Sequence, residues 1–212
     1  MTRIFTTLAA VVTLAMLVTI GFGFWSWSLH KEEYDRVAAR PSTGADAATL
    51  TAVDPADRQF YKNIFVIHFC LGLFTGIGIL LVHSIIFTYF LGTGRWVKEV
   101  TLAYDLPDEP LHKTTRELKR KAFPPALFAM LSVMAAAFAG GGRMLQGWPY
   151  QIHLLLAIVA LLVNLWAYWV EIRSLRANDE ILAGVYREVD RVRAERGLPS
   201  NAEAQRMEAE QV

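Results

Sequence analysis

Four long apolar stretches constrain this chain more than any other feature of its sequence. They run from Ile4 to Trp27, Tyr61 to Leu91, Phe123 to Gly140 and Tyr150 to Val170. About 20 helical residues cross a hydrocarbon core of roughly 30 Å, so each stretch is long enough to span a membrane. Since 54% of the 212 residues are hydrophobic and only 19% are charged, an ordinary soluble domain is disfavoured. We therefore predict an all-α membrane protein, a bundle of four transmembrane helices.

Turn-forming residues mark the predicted ends of these helices. Asp54 and Pro55 fit an N-cap followed by proline at the first helical position, so the second helix is expected to begin at residue 55. Pro124 and Pro125 are expected to kink or restart the third helix. The predicted helices span residues 4–27, 55–91, 123–142 and 150–171, with an outer loop at 28–54 and an inner loop at 92–122 that Gly92, Gly94, Pro107 and Pro110 break.

The C-terminal residues 171–212 differ in pattern from the bundle at 1–170. Six apolar residues recur there mainly at spacings of three and four: Ile172, Leu175, Leu182, Val185, Val189 and Val192. This pattern is typical of an amphipathic helix, expected over 172–196, with frayed residues after about 197. Because an apolar stripe needs a partner, we expect it to dock on another membrane-protein subunit or a second copy. A solvated helix is the alternative.

Lysine and arginine are distributed unevenly between the two predicted faces of the bundle. If the N-terminus lies inside, 15 of the 21 basic residues lie on the inner side. The positive-inside rule then places both termini, and the amphipathic helix, in the cytoplasm of a cell (inner) membrane. Lys119, Arg120 and Lys121 can meet anionic lipid headgroups there. A net charge of +1 does not favour a nucleic-acid partner.

Two histidines lie inside different predicted spans at similar depths. At a rise of 1.5 Å per residue, His68 lies about 8 Å and His153 about 5 Å below the outer boundary. An ionisable side chain in hydrocarbon costs about 2.5 to 3.5 kcal/mol even on insertion scales, so both are candidate functional residues. His68 shares a helical stripe with Gly72, and His153 shares one with Ala157. Polar and small residues face other helices in a bundle, so the two imidazoles are expected to converge.

Paired histidines of this kind favour a bis-histidine b-type haem. Inward imidazoles at equal depth, with small side chains beside them, let a flat porphyrin lie between helices. The predicted cofactor-binding residues are His68, His153, Gly72, Ala157 and Arg143, with Arg58 and Lys62 as further candidates near the propionates. The two histidines would ligate the iron, and a guanidinium would pair with a propionate.

Structural alternatives remain open for these and other polar residues in the spans. Paired histidines can simply hydrogen-bond across helices, for about 0.6 kcal/mol per contact, or one can hold a chlorophyll-type pigment. Asn164 is expected to join helices, and Glu171 to reach water or pair with Arg173 rather than relay protons. His83 lies about 22 Å deeper than the first histidine and has no histidine mate. A hydrogen-bonded interior histidine is expected there, with a second haem shared with Met130, a quinone contact or proton transfer as alternatives.

Three classes of function follow from these features. The first is an electron-transfer subunit of a larger, energy-transducing membrane complex, with quinone or a neighbouring cofactor as partner. The second is a scaffold or assembly subunit without a cofactor, and the third, least favoured because no inverted repeat is visible, is a transporter. A self-contained enzyme is less favoured because no phosphate-binding loop, paired cysteines or nucleophile motif occurs.

Overall fold

The computed structural model describes residues 1–38, 55–107 and 111–210, and its regular structure there is entirely α-helical. In chain order the helices are α1 (Thr2–Ala38), α2 (Pro55–Tyr104), α3 (Leu111–Gln146), α4 (Tyr150–Glu195) and α5 (Asn201–Ala209). Four segments are long and apolar enough to cross a membrane: Thr2–Leu29, Lys62–Tyr104, Leu111–Arg143 and Tyr150–Glu195. The prediction of an all-α membrane fold with four long apolar helices is confirmed.

The helices extend well beyond the predicted membrane segments. Helix α1 continues to Ala38, while the predicted cap at Asp54 lies outside the described residues. The predicted inner loop is mostly helical instead, because α2 runs on to Tyr104 and α3 already begins at Leu111. Helix α3 also continues through its two prolines rather than restarting there.

The glycines of the predicted inner loop lie within α2, and one of them, Gly94, packs against α3. A methyl group built on Gly94 would lie 3.6 Å from Cγ2 of Thr115 on α3. A small residue therefore lets the two helices approach closely at this level. The chain turns only after Tyr104, where Asp105 adopts a positive φ of 54°. The Leu106 amide donates to the Thr101 carbonyl at 2.9 Å and closes that turn.

The first of two compact units comprises Met1–Ala9, Leu81–Leu131 and Leu162–Val212. Within it α2 and α4 run parallel, since their contacts advance together along both helices. These contacts join His83 with Glu171, Tyr89 with Asp179, Trp96 with Tyr186 and Tyr104 with Arg193. The parallel pair therefore continues far past the residues predicted to span the membrane.

The apolar stripe of the C-terminal segment is buried within this first unit. Val185 and Val189 pack with Val97, Leu106 and Leu111 in one buried cluster. The same chain thus supplies the partner that the sequence led us to expect from another subunit. The segment is also continuous with the fourth membrane helix, because α4 is unbroken from Tyr150 to Glu195.

The residues after Gly197 form a short capped helix and are not frayed as predicted. Ser200 and Glu203 form a reciprocal capping box at the start of α5. The Ser200 amide and hydroxyl donate to the Glu203 carboxylate at 2.8 and 2.9 Å, which holds the pKa of that carboxyl below its usual range. Asp190 of α4 accepts bonds from the Asn201 amide and side chain, both at 2.9 Å. These bonds tie α5 back to α4.

The second compact unit comprises Ala10–Leu80 and Ser132–Leu161. Its helices approach through small residues: a methyl group on Gly78 would lie 3.2 Å from Val12, and one on Gly72 would lie 3.8 Å from Thr19. The Thr19 and Thr75 hydroxyls also join α1 to α2 at 3.0 Å. Close backbone approach and hydroxyl pairs are the ordinary means by which membrane helices associate.

Candidate functional site

The second unit brings together the two histidines that the sequence singles out. His68 on α2 and His153 on α4 have ring centroids 6.3 Å apart, and their planes are inclined at 83°. Both side chains are half-buried. Two imidazoles from remote parts of the chain therefore face a common region inside the bundle. We call these two residues the histidine pair.

Each imidazole of the pair packs against a glycine on a neighbouring helix. A methyl group built on Gly23 of α1 would lie 2.7 Å from Cε1 of His68, and one on Gly140 of α3 would lie 3.1 Å from Cε1 of His153. A real Cβ does not fit at the first distance, so only glycine leaves room for that ring. The glycines that matter thus come from other helices than the predicted Gly72, which faces α1.

Hydrogen bonding differs between the two imidazoles. His153 Nδ1 lies 2.9 Å from the Ala136 carbonyl, which can only accept, so Nδ1 carries the proton and Nε2 keeps its lone pair. This is the tautomer that a metal-ligating histidine needs. His68 Nδ1 is buried and has no hydrogen-bond partner. The ring of Phe22 lies nearly parallel to the His68 ring, with centroids 6.4 Å apart.

Arginine and aromatic side chains lie at the loop between α3 and α4. Arg143 is exposed, donates to the Trp148 carbonyl at 3.5 Å and lies over the ring of Tyr150 at 5.8 Å. Tyr150 in turn stacks on Trp27 of α1 at 4.6 Å. In the part of the chain that the structure describes, the guanidinium contacts a carbonyl and an aromatic ring rather than an acidic side chain. Of the remaining predicted residues, Ala157 is half-buried and Lys62 is exposed.

The first unit contains a second polar site that the sequence analysis does not connect. His83, Asn164 and Glu171 are fully buried. His83 Nδ1 lies 2.7 Å from Glu171 Oε1, and His83 Nε2 lies 3.0 Å from Asn164 Oδ1. The Tyr168 ring stacks on the imidazole at 5.0 Å, with the planes only 8° apart. We call His83 and Glu171 the histidine–glutamate pair.

These contacts change the expectations for three residues. The Glu171 side chain does not extend to the protein surface or pair with Arg173, because it is fully buried against His83. Arg173 instead lies over the Trp169 ring at 4.3 Å. Both ring nitrogens of His83 are engaged in hydrogen bonds, so neither offers a lone pair to a haem iron. The histidine left without a mate in the sequence has a carboxylate and an amide as partners.

A signal for this second site was present in the sequence. His68 on α2 lies level with His153 on α4. Advancing by the same number of residues along both parallel helices brings His83 level with Tyr168, which lies between Asn164 and Glu171 in the sequence. The sequence predicts no histidine mate for His83 and places Glu171 near the inner boundary, so it does not join these two residues. Because α2 and α4 are parallel and continue past that boundary, the carboxylate is enclosed by protein instead.

No protein-family model matches this chain, and no curated protein or solved structure matches it. Within residues 1–38, 55–107 and 111–210, no group of three or more His, Cys, Asp and Glu side chains is placed to hold a metal ion. The histidine pair alone could therefore supply two ligands, and the remaining ligands would have to come with the metal.

Proposed function

We propose that this protein is an integral membrane electron-transfer subunit that holds a b-type haem between His68 and His153. The observation that carries the proposal is the spacing and orientation of the two rings, 6.3 Å between centroids and 83° between planes. At this spacing the imidazole nitrogens of His68 and His153 would hold a haem iron between them.

The number of ligands favours haem over a bare metal ion. A structural or catalytic zinc site takes at least three protein ligands, and among the described side chains of the second unit only the two imidazoles of the histidine pair converge. A porphyrin brings four nitrogens of its own and needs only two axial ligands from the protein. Haem, when bound, supplies one-electron redox chemistry, and the chain supplies position and surroundings.

The residues around the pair have roles that suit axial ligands. The Ala136 carbonyl accepts a hydrogen bond from Nδ1 of His153, and this bond orients the ring. Gly23 and Gly140 allow backbone to press on both imidazoles and restrict their rotation. Arg143, exposed at the end of α3, is available for a propionate. Quinone or a neighbouring cofactor of a larger complex is the proposed electron partner.

An absorption spectrum of the purified chain, oxidised and then reduced, tests this function. The protein should be expressed with haem supplied, as the wild type and as the variants H68A, H153A and H112A. We expect a haem spectrum in the wild type and in H112A, the control on α3, and its loss in either of the other two. A folded but colourless wild type, or pigment that persists in H68A and H153A, would refute the proposal.

A second candidate is a scaffold or assembly subunit without a cofactor. The observation that favours it is the bond from His153 to the Ala136 carbonyl, which already joins α4 to α3 without any ligand. A colourless protein that co-purifies with other membrane proteins would support this candidate.

A further inference from the structure

We propose that the histidine–glutamate pair is a proton-transfer site, which holds one shared proton and exchanges it with water through Glu171. The proposal does not depend on a haem at the other pair of histidines. It rests on two observations. Both ring nitrogens of His83 form hydrogen bonds, and three buried polar atoms on α4 have no hydrogen-bond partner among the described residues.

The hydrogen bonds fix the number of protons in the pair. The Asn164 oxygen can only accept, so His83 Nε2 must carry a proton. The 2.7 Å contact between Nδ1 and Glu171 Oε1 also requires a proton, because two facing lone pairs would repel. That proton resides either on Nδ1, as an imidazolium beside a carboxylate, or on Oε1, as neutral imidazole beside a carboxylic acid. The pair is net neutral in both forms.

One proton that can occupy either atom makes the pair suited to transfer. A buried pair with a net charge would be expensive in an apolar interior, whereas this shared proton avoids that cost. The ring of Tyr168 stacks on the imidazole and covers one face of the pair. A second proton can enter only at the carboxylate oxygen that does not contact His83.

That second oxygen is one of three buried polar atoms on α4 that have no hydrogen-bond partner among the residues described by the structure. They are Glu171 Oε2, Tyr168 Oη and Asn178 Oδ1. Leaving such a group unpaired is unfavourable, and bound water is the ordinary partner of buried polar atoms. Glu171 and Asn178 lie two helical turns apart on α4, about 10 Å along its axis. Water molecules between them would connect the carboxyl group to the next polar group.

From Asn178, hydrogen bonds lead on to partly exposed residues. The Asn178 amide donates to the Tyr89 hydroxyl at 3.1 Å, and that hydroxyl donates to Asp179 at 2.8 Å. Thr2 donates to the other oxygen of Asp179 at 2.8 Å. These contacts lead from a fully buried amide to partly buried groups near the start of α1. The open end of the route is therefore the end where α1 begins.

The surrounding segments bring few other groups that could titrate at the pair. Phe5 packs against Tyr168, and no residue from there to Ala9 is titratable. Phe123 packs on Phe87 of α2, and the α3 segment 123–131 likewise contains no titratable residue. Within α2 and α4, the neighbouring titratable or charged groups are Tyr89, Tyr168, Arg173 and Asp179. Asp179 is the other carboxyl group among these and is only partly buried, so the signal of a fully buried carboxyl is expected from Glu171.

Infrared difference spectroscopy on the full chain in lipid nanodiscs tests the proposal. On acidification we expect the carbonyl band of a protonated, buried carboxyl group, which shifts after transfer to D₂O. The band should be absent in E171Q and present in E180Q, the control at an exposed glutamate of the same helix. Labelling glutamate carboxyls with ¹³C should shift the band in the wild type, so the site can be read even if E171Q does not fold.

The route to water is tested by the rate of deuterium exchange at the same band. N178L should slow exchange by about tenfold or more, because local opening of the helices would then be needed. L175I alters the same buried face without removing a polar atom and should exchange as the wild type does. H68A should also keep the band, which separates this result from the fate of the haem proposal.

Three results would overturn the proposal. The first is the absence of a pH-dependent buried carboxyl band in the wild type. The second is a band that stays unchanged in D₂O, which would mean a sealed pair with a structural role. The third is unaltered exchange in N178L, which would refute the route through Asn178.

Discussion

At the scale of single residues, the histidine pair depends on glycines contributed by other helices. Depth and helical stripes are enough to predict that His68 and His153 face inward, because both follow from position along a helix. Those stripes show only neighbours on the same helix, such as Gly72. They cannot show Gly23 or Gly140, since the rotation and offset of adjacent helices depend on packing along their whole length.

Two glycines of α1 provide a matched test of this contact. A methyl group on Gly23 would meet His68, whereas one on Gly21 would have nothing within 4 Å. G23A should therefore destabilise the protein by about 1 to 2 kcal/mol through overpacking, and should lower the ratio of haem to protein. G21A should be neutral or stabilising by up to about 1 kcal/mol, because alanine favours helix.

Denaturant unfolding in detergent and the absorbance ratio of haem to protein measure these effects. Equal behaviour of the two variants would mean that the close approach of Gly23 to the imidazole has no influence on the site.

At the scale of elements, the parallel packing of α2 and α4 explains why some helix ends are predicted poorly from the sequence. Hydropathy locates the apolar centre of each helix, but it is silent on helical residues that leave the membrane. Gly92, Gly94 and the charges after Glu171 were interpreted as ends because they end the apolar run. Tertiary contacts outweigh that signal. Both α2 and α4 continue where Val97 and Val185 pack in one buried cluster.

Truncating a buried valine of this extension tests its contribution to stability. V185A removes two methyl groups from a fully buried position and should cost about 2 kcal/mol of unfolding free energy. L102A removes a side chain that is 73% exposed and should change stability by less than about 0.5 kcal/mol.

Hydrogen exchange followed by mass spectrometry, on peptides from both helices, is the suitable measurement. V185A should speed exchange in the α2 and α4 segments together, because they form one packed element. Faster exchange in α4 alone would contradict a shared cluster.

At the scale of the whole molecule, four candidate spans predict that both ends of the chain lie on one side of the membrane. The sequence predicts the number of spans well, because about 20 apolar residues are needed for each. It also predicts a side, through the excess of lysine and arginine on one face. The sequence does not predict that the Glu171 carboxylate is buried, because its burial depends on which helices surround it.

Cysteine labelling in intact, right-side-out membrane vesicles tests this topology. Cys70, the single cysteine, is replaced by alanine, and one cysteine is introduced at Gln146 or at Gln205, both exposed. A charged maleimide that cannot cross the membrane should label Q146C at once and Q205C only after permeabilisation. The reverse pattern would invert the proposed orientation, and labelling of both would contradict an intact four-span topology.

The bond between Thr2 and Asp179 joins residues 177 positions apart. Closing so long a loop carries a high entropic cost and comes late in folding. During synthesis, the first helix enters the membrane long before the aspartate has left the ribosome. The hydrogen bond that joins the start of α1 to α4 can therefore form only after the chain has been synthesised as far as Asp179.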